Sequence, residues 1–185
     1  MTGDTGSFNP FPGLRPFGPE EGHLFFGREP IVDGLLKRLR ETRFLGVIGS
    51  SGSGKSSLVR AGLIPSLHSG FMTTAGSSWR VAVMRPGSDP IGNLAEALNQ
   101  KDVLGDATEA QGASPLLTEV TLRRSSLGLI ECVRLARLPR EDNLLIVVDQ
   151  FEELFRFKHH DQSEHARDEA IALSLIHISE PTRPP

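Results

Sequence analysis

The sequence predicts an α/β fold with a mainly parallel sheet, and three observations support this prediction. Short apolar runs of strand length alternate with longer segments whose apolar residues recur every three to four positions. A glycine- and serine-rich loop stands between the first apolar run and the helical segment that follows it. The last apolar run, 144–148, is entirely aliphatic, which is typical of a strand buried on both faces.

The first half of the chain contains an arm, three helices and one strand by these criteria. Residues 1–19 are rich in proline and glycine, which excludes a regular helix, and their phenylalanines favour a packed arm over a flexible leader. A short helix is predicted near 19–25, and an amphipathic helix over 30–41 with Pro30 in its first turn. The run 44–48 predicts a buried strand, and 55–63 predicts a helix that Pro65 disturbs.

The second half continues the alternation. A strand is predicted over 79–84, and Asp89 with Pro90 is a suitable start for a helix that runs to about residue 100. Residues 101–114 are small and polar, which predicts a surface loop, and one long helix is predicted over 116–138. The run 144–148 predicts a third strand, and helices over 152–157 and 164–171 follow.

Composition narrows the class of protein. The chain has 185 residues and a formal net charge of −3, so it is one domain by length, two at most, and bulk charge argues against nucleic-acid binding. No apolar run is long enough for a membrane helix, and the N-terminus lacks a secretory pattern. The single cysteine excludes an internal disulfide framework. A cytoplasmic location is therefore expected.

The loop after the first apolar run has the spacing G-x-x-x-x-G-K-[ST], the pattern of a phosphate-binding loop or Walker A motif. Its glycines allow backbone N–H groups to turn inward around an anion, and Lys55 can reach the β- and γ-phosphates of a nucleotide. The Ser56 hydroxyl can ligate Mg²⁺. A strand before it and a helix after it argue against a mere Gly/Ser linker. The motif consists of Gly49, Ser50, Ser51, Gly52, Ser53, Gly54, Lys55 and Ser56.

Three carboxylates follow the last predicted strand. Asp149 stands directly after the strand, where a Walker B acid holds Mg²⁺. Glu152 and Glu153 could orient or activate water for hydrolysis, or they could be acids that favour the start of a helix. Because Gln150 occupies the position where many hydrolytic proteins with this loop carry the acid, the base is predicted to be displaced, with Glu152 ahead of Glu153.

Together these motifs resemble the novel STAND NTPase family of signal-transduction ATPases. The matching segments are N-P-F-P-G-L-R-P-F over 9–17, F-F-G-R-E over 25–29, the phosphate-binding loop and D-Q-F-E-E-L-F over 149–155. The resemblance covers roughly residues 8–172. It implies a P-loop NTPase fold of the ASCE/STAND type.

The resemblance also implies ATP or ADP and Mg²⁺ as cofactors, with Ser56 and Asp149 as metal ligands. In the family, the Gly-Arg-Glu loop lies against the adenine, which assigns Phe26, Gly27 and Arg28 to nucleotide binding. Plain core packing stays open for the two adjacent phenylalanines. The predicted nucleotide contacts extend through the phosphate-binding loop to Ser57.

A signalling switch is the function that the resemblance implies. ATP binding and slow hydrolysis would control self-association, and repeat or sensor domains would follow C-terminally. One alternative is a scaffold that assembles on ATP binding without hydrolysis. A small-molecule P-loop kinase is a weaker alternative, because it would need an acceptor pocket and a lid.

The end of the chain is predicted not to belong to the protein. Residues 173–183 match the translation of a sequencing-library adapter letter for letter, so the coding sequence is expected to be cut off near Ala172. The predicted organisation is an arm and adenine-side loop over 1–29, a partial P-loop NTPase domain over 30–172 and an adapter remnant over 173–185. Because the strand after Walker B would be missing from the sheet, residues 1–185 alone are expected to be insoluble or molten.

Overall fold

The computed structural model describes Gly13 and residues 15–69, 78–105 and 114–155. It divides into two compact units, Met1–Trp79 and Arg80–Pro185, and each unit is described by itself. The predicted helix over 164–171, part of the helix over 152–157 and the adapter-like segment lie outside the described residues. No helix in the described part of the chain is long and apolar enough to cross a membrane.

The first unit is helical. A 3₁₀ helix spans Pro19–Leu24, and α1 spans Glu29–Thr42, which confirms both helices predicted for this region. The apolar spacing of α1 buries Val32, Leu36 and Leu39 on one face. The helix ends where Arg43 adopts a left-handed conformation and its N–H bonds the Leu39 carbonyl oxygen.

The helix after the glycine-rich loop continues through Pro65, where the sequence predicted a disturbance. Its segments are α2 over Lys55–Ser57, a π-helical stretch over Leu58–Leu63 and α3 over Ile64–His68. Proline has no N–H to donate to the carbonyl four residues earlier. The wider π turn accommodates this loss, because the Ile64 N–H bonds Val59 one residue further back than in an α-helix.

The predicted strand over 44–48 is wrong. Residues 44–50 have no regular secondary structure, and Phe44 and Ile48 are 81% and 97% exposed. A strand forms only where a neighbour accepts and donates its backbone hydrogen bonds. No described residue pairs with this segment, so an apolar run of strand length stays outside any sheet.

The second unit holds a two-stranded parallel sheet and the helices that cover it. The strands β1, Ser78–Met84, and β2, Asp142–Val148, confirm two of the predicted strands. The helix α4 begins as predicted, because Asp89 caps it and Pro90 takes the first position. The helical elements are α4 over Pro90–Leu98, a π-helical turn over Lys101–Gly105, α5 over Pro115–Arg124 and α6 over Gly128–Ala136.

The core of the second unit forms between these helices and one face of the sheet. Its buried side chains include Ala82, Met84, Leu94, Leu98 and Cys132. At the beginning of the sheet, Arg80 joins β1 to β2 through an ion pair of 2.6 Å with Asp142. The shared apolar core packs the helices as one layer on the sheet, as in an α/β fold.

Two predictions for this unit are corrected. Residues 101–105 form a π-helical turn whose Val103 and Leu104 are buried, although the segment was predicted to be a surface loop. The single helix predicted over 116–138 is two helices, α5 and α6. They cross so closely that a Cβ on Gly128 would stand 2.7 Å from the Leu122 Cα. Periodicity alone does not show such a reversal, because apolar spacing continues on both sides of it.

This close crossing makes Gly128 a sensitive position. We expect Gly128→Ala to lower the free energy of unfolding by about 1–3 kcal/mol, because the added methyl group would press on backbone atoms that cannot turn aside. Gly34→Ala is the matched control. Gly34 lies inside α1 with nothing within 4 Å of an added Cβ, so this change should stabilise the protein by about 0.5–1 kcal/mol. Denaturant unfolding of both variants measures the difference.

A carboxylate fastens the segment before the 3₁₀ helix. Glu21 accepts two hydrogen bonds from the Arg15 guanidinium, at 2.6 and 2.7 Å, and a third from the Gly18 N–H at 2.7 Å. The bond with Arg15, followed by the bond with Gly18, lowers the pKa of Glu21 to about 2. Both contacts favour the ionised carboxylate.

The depressed pKa predicts a pH dependence. The contribution of Glu21 to stability should be fully present above its ordinary pKa of 4.5 and be lost as the pH falls from there to about 2. Glu21→Gln should remove this part of the acid dependence of unfolding, whereas Glu20→Gln should leave it in place. Unfolding midpoints between pH 2 and 7 measure it, and equal acid dependence in the two variants would contradict the assignment.

Candidate functional site

The glycine-rich loop 49–54 forms a tight turn that leads into α2. Gly52 and Gly54 have φ values of +76° and +82°, which side chains other than glycine rarely adopt. The Ser53 N–H closes the turn on the Ser50 carbonyl oxygen at 3.2 Å, and the Leu58 N–H begins the helix on Gly54 at 2.8 Å. Gly52 and Gly54 are therefore required by the backbone path itself.

Lys55 folds its side chain back over this loop. Its ammonium group donates to the carbonyl oxygens of Gly49 and Ser50, at 2.9 and 2.8 Å. Both acceptors belong to the loop, so the Lys55 ammonium group lies against the loop and its side chain is not extended away from it. This places a cation directly beside the glycine-rich turn.

A cleft of about 460 Å³ opens beside the loop within the first unit. Its lining combines Lys55 and the glycine-rich loop with the apolar side chains of Phe25 and of Ile31 and Leu35 of α1. Such a combination of apolar walls and a few polar groups is typical of a small-molecule site. The lining residues are Phe25, Arg28, Ile31, Leu35, Gly46, Val47, Ile48, Gly49, Ser50, Ser53, Gly54, Lys55 and Leu58.

The segment Phe26, Gly27 and Arg28 was predicted to lie against an adenine base, and only part of it lines the cleft. Arg28 lines it, whereas Phe26 is 75% exposed and is not among the lining residues. Gly27 forms a turn with φ +78°, and its N–H donates to the Glu29 carboxylate at 3.0 Å. Phe25, one residue earlier than predicted, supplies the aromatic wall.

Sequence reasoning missed the contribution of α1. Ile31 and Leu35 are four residues apart and share one helix face, so the spacing that predicts the helix could also have identified this wall.

The remaining predicted residues of the motif lie beside the cleft. Ser51 and Gly52 belong to the turn, and Ser56 and Ser57 lie on α2, without lining the cavity. The Ser57 hydroxyl accepts a hydrogen bond from the Phe17 N–H at 3.2 Å, so it holds the N-terminal arm. The Phe17 ring meets Phe25 edge to face, with 6.0 Å between ring centroids.

In the second unit, the end of the sheet collects charged side chains. Asp149 directly follows β2, and its N–H donates to the Met84 carbonyl oxygen of β1 at 2.9 Å. The Asp149 carboxylate is nearly buried, and Arg85 stands 3.6 Å from it. The chain then turns sharply, because Gln150 adopts a left-handed φ of +59°.

The two glutamates after this turn differ in their surroundings. The Glu153 carboxylate accepts a hydrogen bond from the Gly87 N–H at 3.0 Å and so ties the turn to the loop after β1. Glu152 is exposed at the surface of the turn. Of the two candidates for a base, Glu153 thus has a structural contact, and Glu152 projects into solvent.

The donor chemistry is suitable for Mg²⁺. The Ser56 hydroxyl and the Asp149 carboxylate are hard oxygen donors, and Mg²⁺ usually keeps several waters and takes few protein ligands beside phosphate oxygens. Across 15–69, 78–105 and 114–155, no three histidine, cysteine or acidic side chains gather as a self-contained metal site.

Comparisons with known proteins identify the family. Neither the curated proteins nor the solved structures contain a significant match. The family model of novel STAND NTPase 1 matches residues 10–181, which is most of the chain and includes both groups of residues described above. The chain therefore belongs to the novel STAND NTPase 1 family, whose members are nucleotide-binding signalling NTPases.

Proposed function

We propose that this chain is a P-loop ATPase that binds ATP in the cleft of the first unit. The observation that carries the proposal is the meeting of a phosphate-binding motif and an apolar wall in one cavity. Nucleotides have this same division, a highly charged phosphate end and a flat apolar base. Family membership supports nucleotide binding in general. The lining of the cleft supports a nucleotide bound with its phosphates at the loop and its base against the apolar side chains.

The loop would hold the phosphates. Lys55 would move from the loop carbonyls of Gly49 and Ser50 to the β- and γ-phosphates, because a phosphate oxygen is a stronger acceptor than a carbonyl. The backbone N–H groups around Gly52 and Gly54 would complete the cradle.

The base would lie between Phe25 and the α1 residues Ile31 and Leu35, with Arg28 at the edge. We propose adenine as the base, because the family resemblance implies ATP rather than GTP. A base in this position would also contact the loop that contains Gly27.

Ser56 and Asp149 would hold Mg²⁺ together with the phosphates. When bound, the ion would neutralise charge on the β- and γ-phosphates. Asp149 would bind the ion through its carboxylate, which is nearly buried at the end of β2, and Ser56 would bind it through its hydroxyl.

For hydrolysis, we propose Glu152 as the residue that orients water. The Glu153 carboxylate already accepts a hydrogen bond from the Gly87 N–H, and the side chain of Gln150 is not an acid. The alternative is a scaffold that binds ATP without hydrolysis, and the displaced acid supports it. In either case, we propose that the nucleotide controls self-association, as the family's switch mechanism implies.

Lys55→Ala tests the nucleotide site. ATP affinity should fall by about 2–4 kcal/mol, because the charge-assisted contact with the phosphates would be lost in a partly desolvated site. Calorimetric titration of purified protein with Mg-ATP measures it. Lys37→Ala, which removes an exposed lysine from α1, is the control and should bind like the unmodified protein. Unchanged affinity in Lys55→Ala would contradict the proposal.

A pair of charge-neutral variants tests the base. Glu152→Gln should lower ATP turnover at least about 100-fold with ATP affinity retained, because a general base typically contributes that factor. Glu153→Gln should retain most turnover and lower stability by about 1 kcal/mol through its weaker bond with Gly87. Phosphate release in single-turnover assays separates these outcomes. If ATP binds but neither change affects turnover, the scaffold alternative is favoured.

A further inference from the structure

Two oppositely charged side chains meet at the carboxyl-terminal edge of the sheet. Arg85 directly follows β1, and Asp149 directly follows β2. The bond from the Asp149 N–H to the Met84 carbonyl oxygen aligns the two strand ends. The Arg85 Nη2 atom consequently stands 3.6 Å from an Asp149 carboxylate oxygen. The unit thus supplies its own cation to this carboxylate.

The opposite end of the same strands offers a comparison. There Arg80 donates to Asp142 at 2.6 Å and to the Val103 carbonyl oxygen at 2.7 Å, and both charged side chains are mostly buried. That pair has the short, directed contacts of a structural link. The pair at the carboxyl-terminal edge is different: 3.6 Å is too long for a hydrogen bond.

Exposure differs as well. The Arg85 side chain is 50% exposed, whereas the Asp149 side chain is 11% exposed. The arginine can therefore rotate into solvent without disturbing the core, while the carboxylate stays where β2 holds it. Because the Arg85 side chain can turn away while the Asp149 carboxylate stays in place, another cation can replace Arg85 beside this carboxylate.

Mg²⁺ and a guanidinium group cannot occupy the same face of one carboxylate, because like charges repel at contact distance and the low local dielectric strengthens the repulsion. We propose, on the basis of the proposed function, that Arg85 is a positioning residue: it is the resident counter-ion of Asp149 that Mg²⁺ displaces. Arg85 thereby sets the Mg²⁺ concentration at which the protein binds nucleotide.

The proposed exchange with Mg²⁺ explains why the ion pair between Arg85 and Asp149 is long and weak. A carboxylate with little exposure is costly to keep ionised, and Arg85 contributes a positive charge beside Asp149 before the metal arrives. Half-exposed ion pairs are weak, however, so the metal has little to overcome. Arg85 therefore adjusts the metal requirement and does not abolish it.

The test measures nucleotide affinity as a function of free Mg²⁺. Calorimetric titrations with ATP, at a series of Mg²⁺ concentrations and in excess chelator, compare the unmodified protein with Arg85→Gln. We expect the half-saturating Mg²⁺ concentration to fall by about twofold to fivefold, the range given by the strength of an exposed ion pair. ATP affinity in chelator should not change. Arg85→Lys, which keeps the charge, should return the midpoint most of the way to the original.

Control variants separate the possible failures. Arg134→Gln removes an exposed arginine from α6 and should leave the Mg²⁺ midpoint unchanged. If Arg85→Gln does not fold, as judged by thermal unfolding, Arg85→Met takes its place, because methionine keeps the apolar stem.

Two results would overturn the inference while leaving the proposed function intact. One is an unchanged Mg²⁺ midpoint in Arg85→Gln. The other is weaker ATP binding in chelator, which would make Arg85 a phosphate contact. If the unmodified protein binds ATP without any dependence on Mg²⁺, the proposed role of Asp149 fails and the inference fails with it.

Discussion

One backbone hydrogen bond, from the Asp149 N–H to the Met84 carbonyl oxygen, determines how the charged groups of the second unit are placed. It extends the pairing of β1 and β2 beyond their last residues, so the loops that leave both strands begin side by side. Arg85 then faces Asp149, and two residues later the Gly87 N–H faces Glu153. Both contacts follow from the parallel register, because the carboxyl ends of parallel strands meet at one edge.

Local physics made much of the fold predictable. The helix α1 and the start of α4 were predicted because apolar spacing and an Asp-Pro cap act within a few residues. The run 44–48 was misjudged because strand formation depends on a neighbour that the run itself does not encode. The division of 116–138 into two helices depends on the contact of Gly128 with α5, which is equally invisible in a linear pattern. These failures all concern tertiary partners.

In the candidate site, too, the features that depend on local spacing were predicted and those that depend on tertiary contacts were not. The glycine-rich loop follows from spacing alone, because few residue types tolerate its positive φ values. The apolar wall was only partly predicted: Phe25 rather than Phe26 faces the cleft, since a one-residue difference in rotation decides which ring is covered. Likewise, no spacing rule separates the adjacent acids Glu152 and Glu153. The contact of one of them with Gly87, 66 positions away in the chain, does.

The bond between the Phe17 N–H and the Ser57 hydroxyl has a consequence for observing the site. A hydrogen-bonded amide exchanges its proton with solvent only when the bond opens, so the exchange rate at Phe17 reports how firmly the first turn of the loop's helix is held. A ligand that tightens this turn slows exchange at Phe17 without touching the arm. Isotope labelling of a single amide, forty residues before Ser57 in sequence, therefore gives a remote readout of loop occupancy.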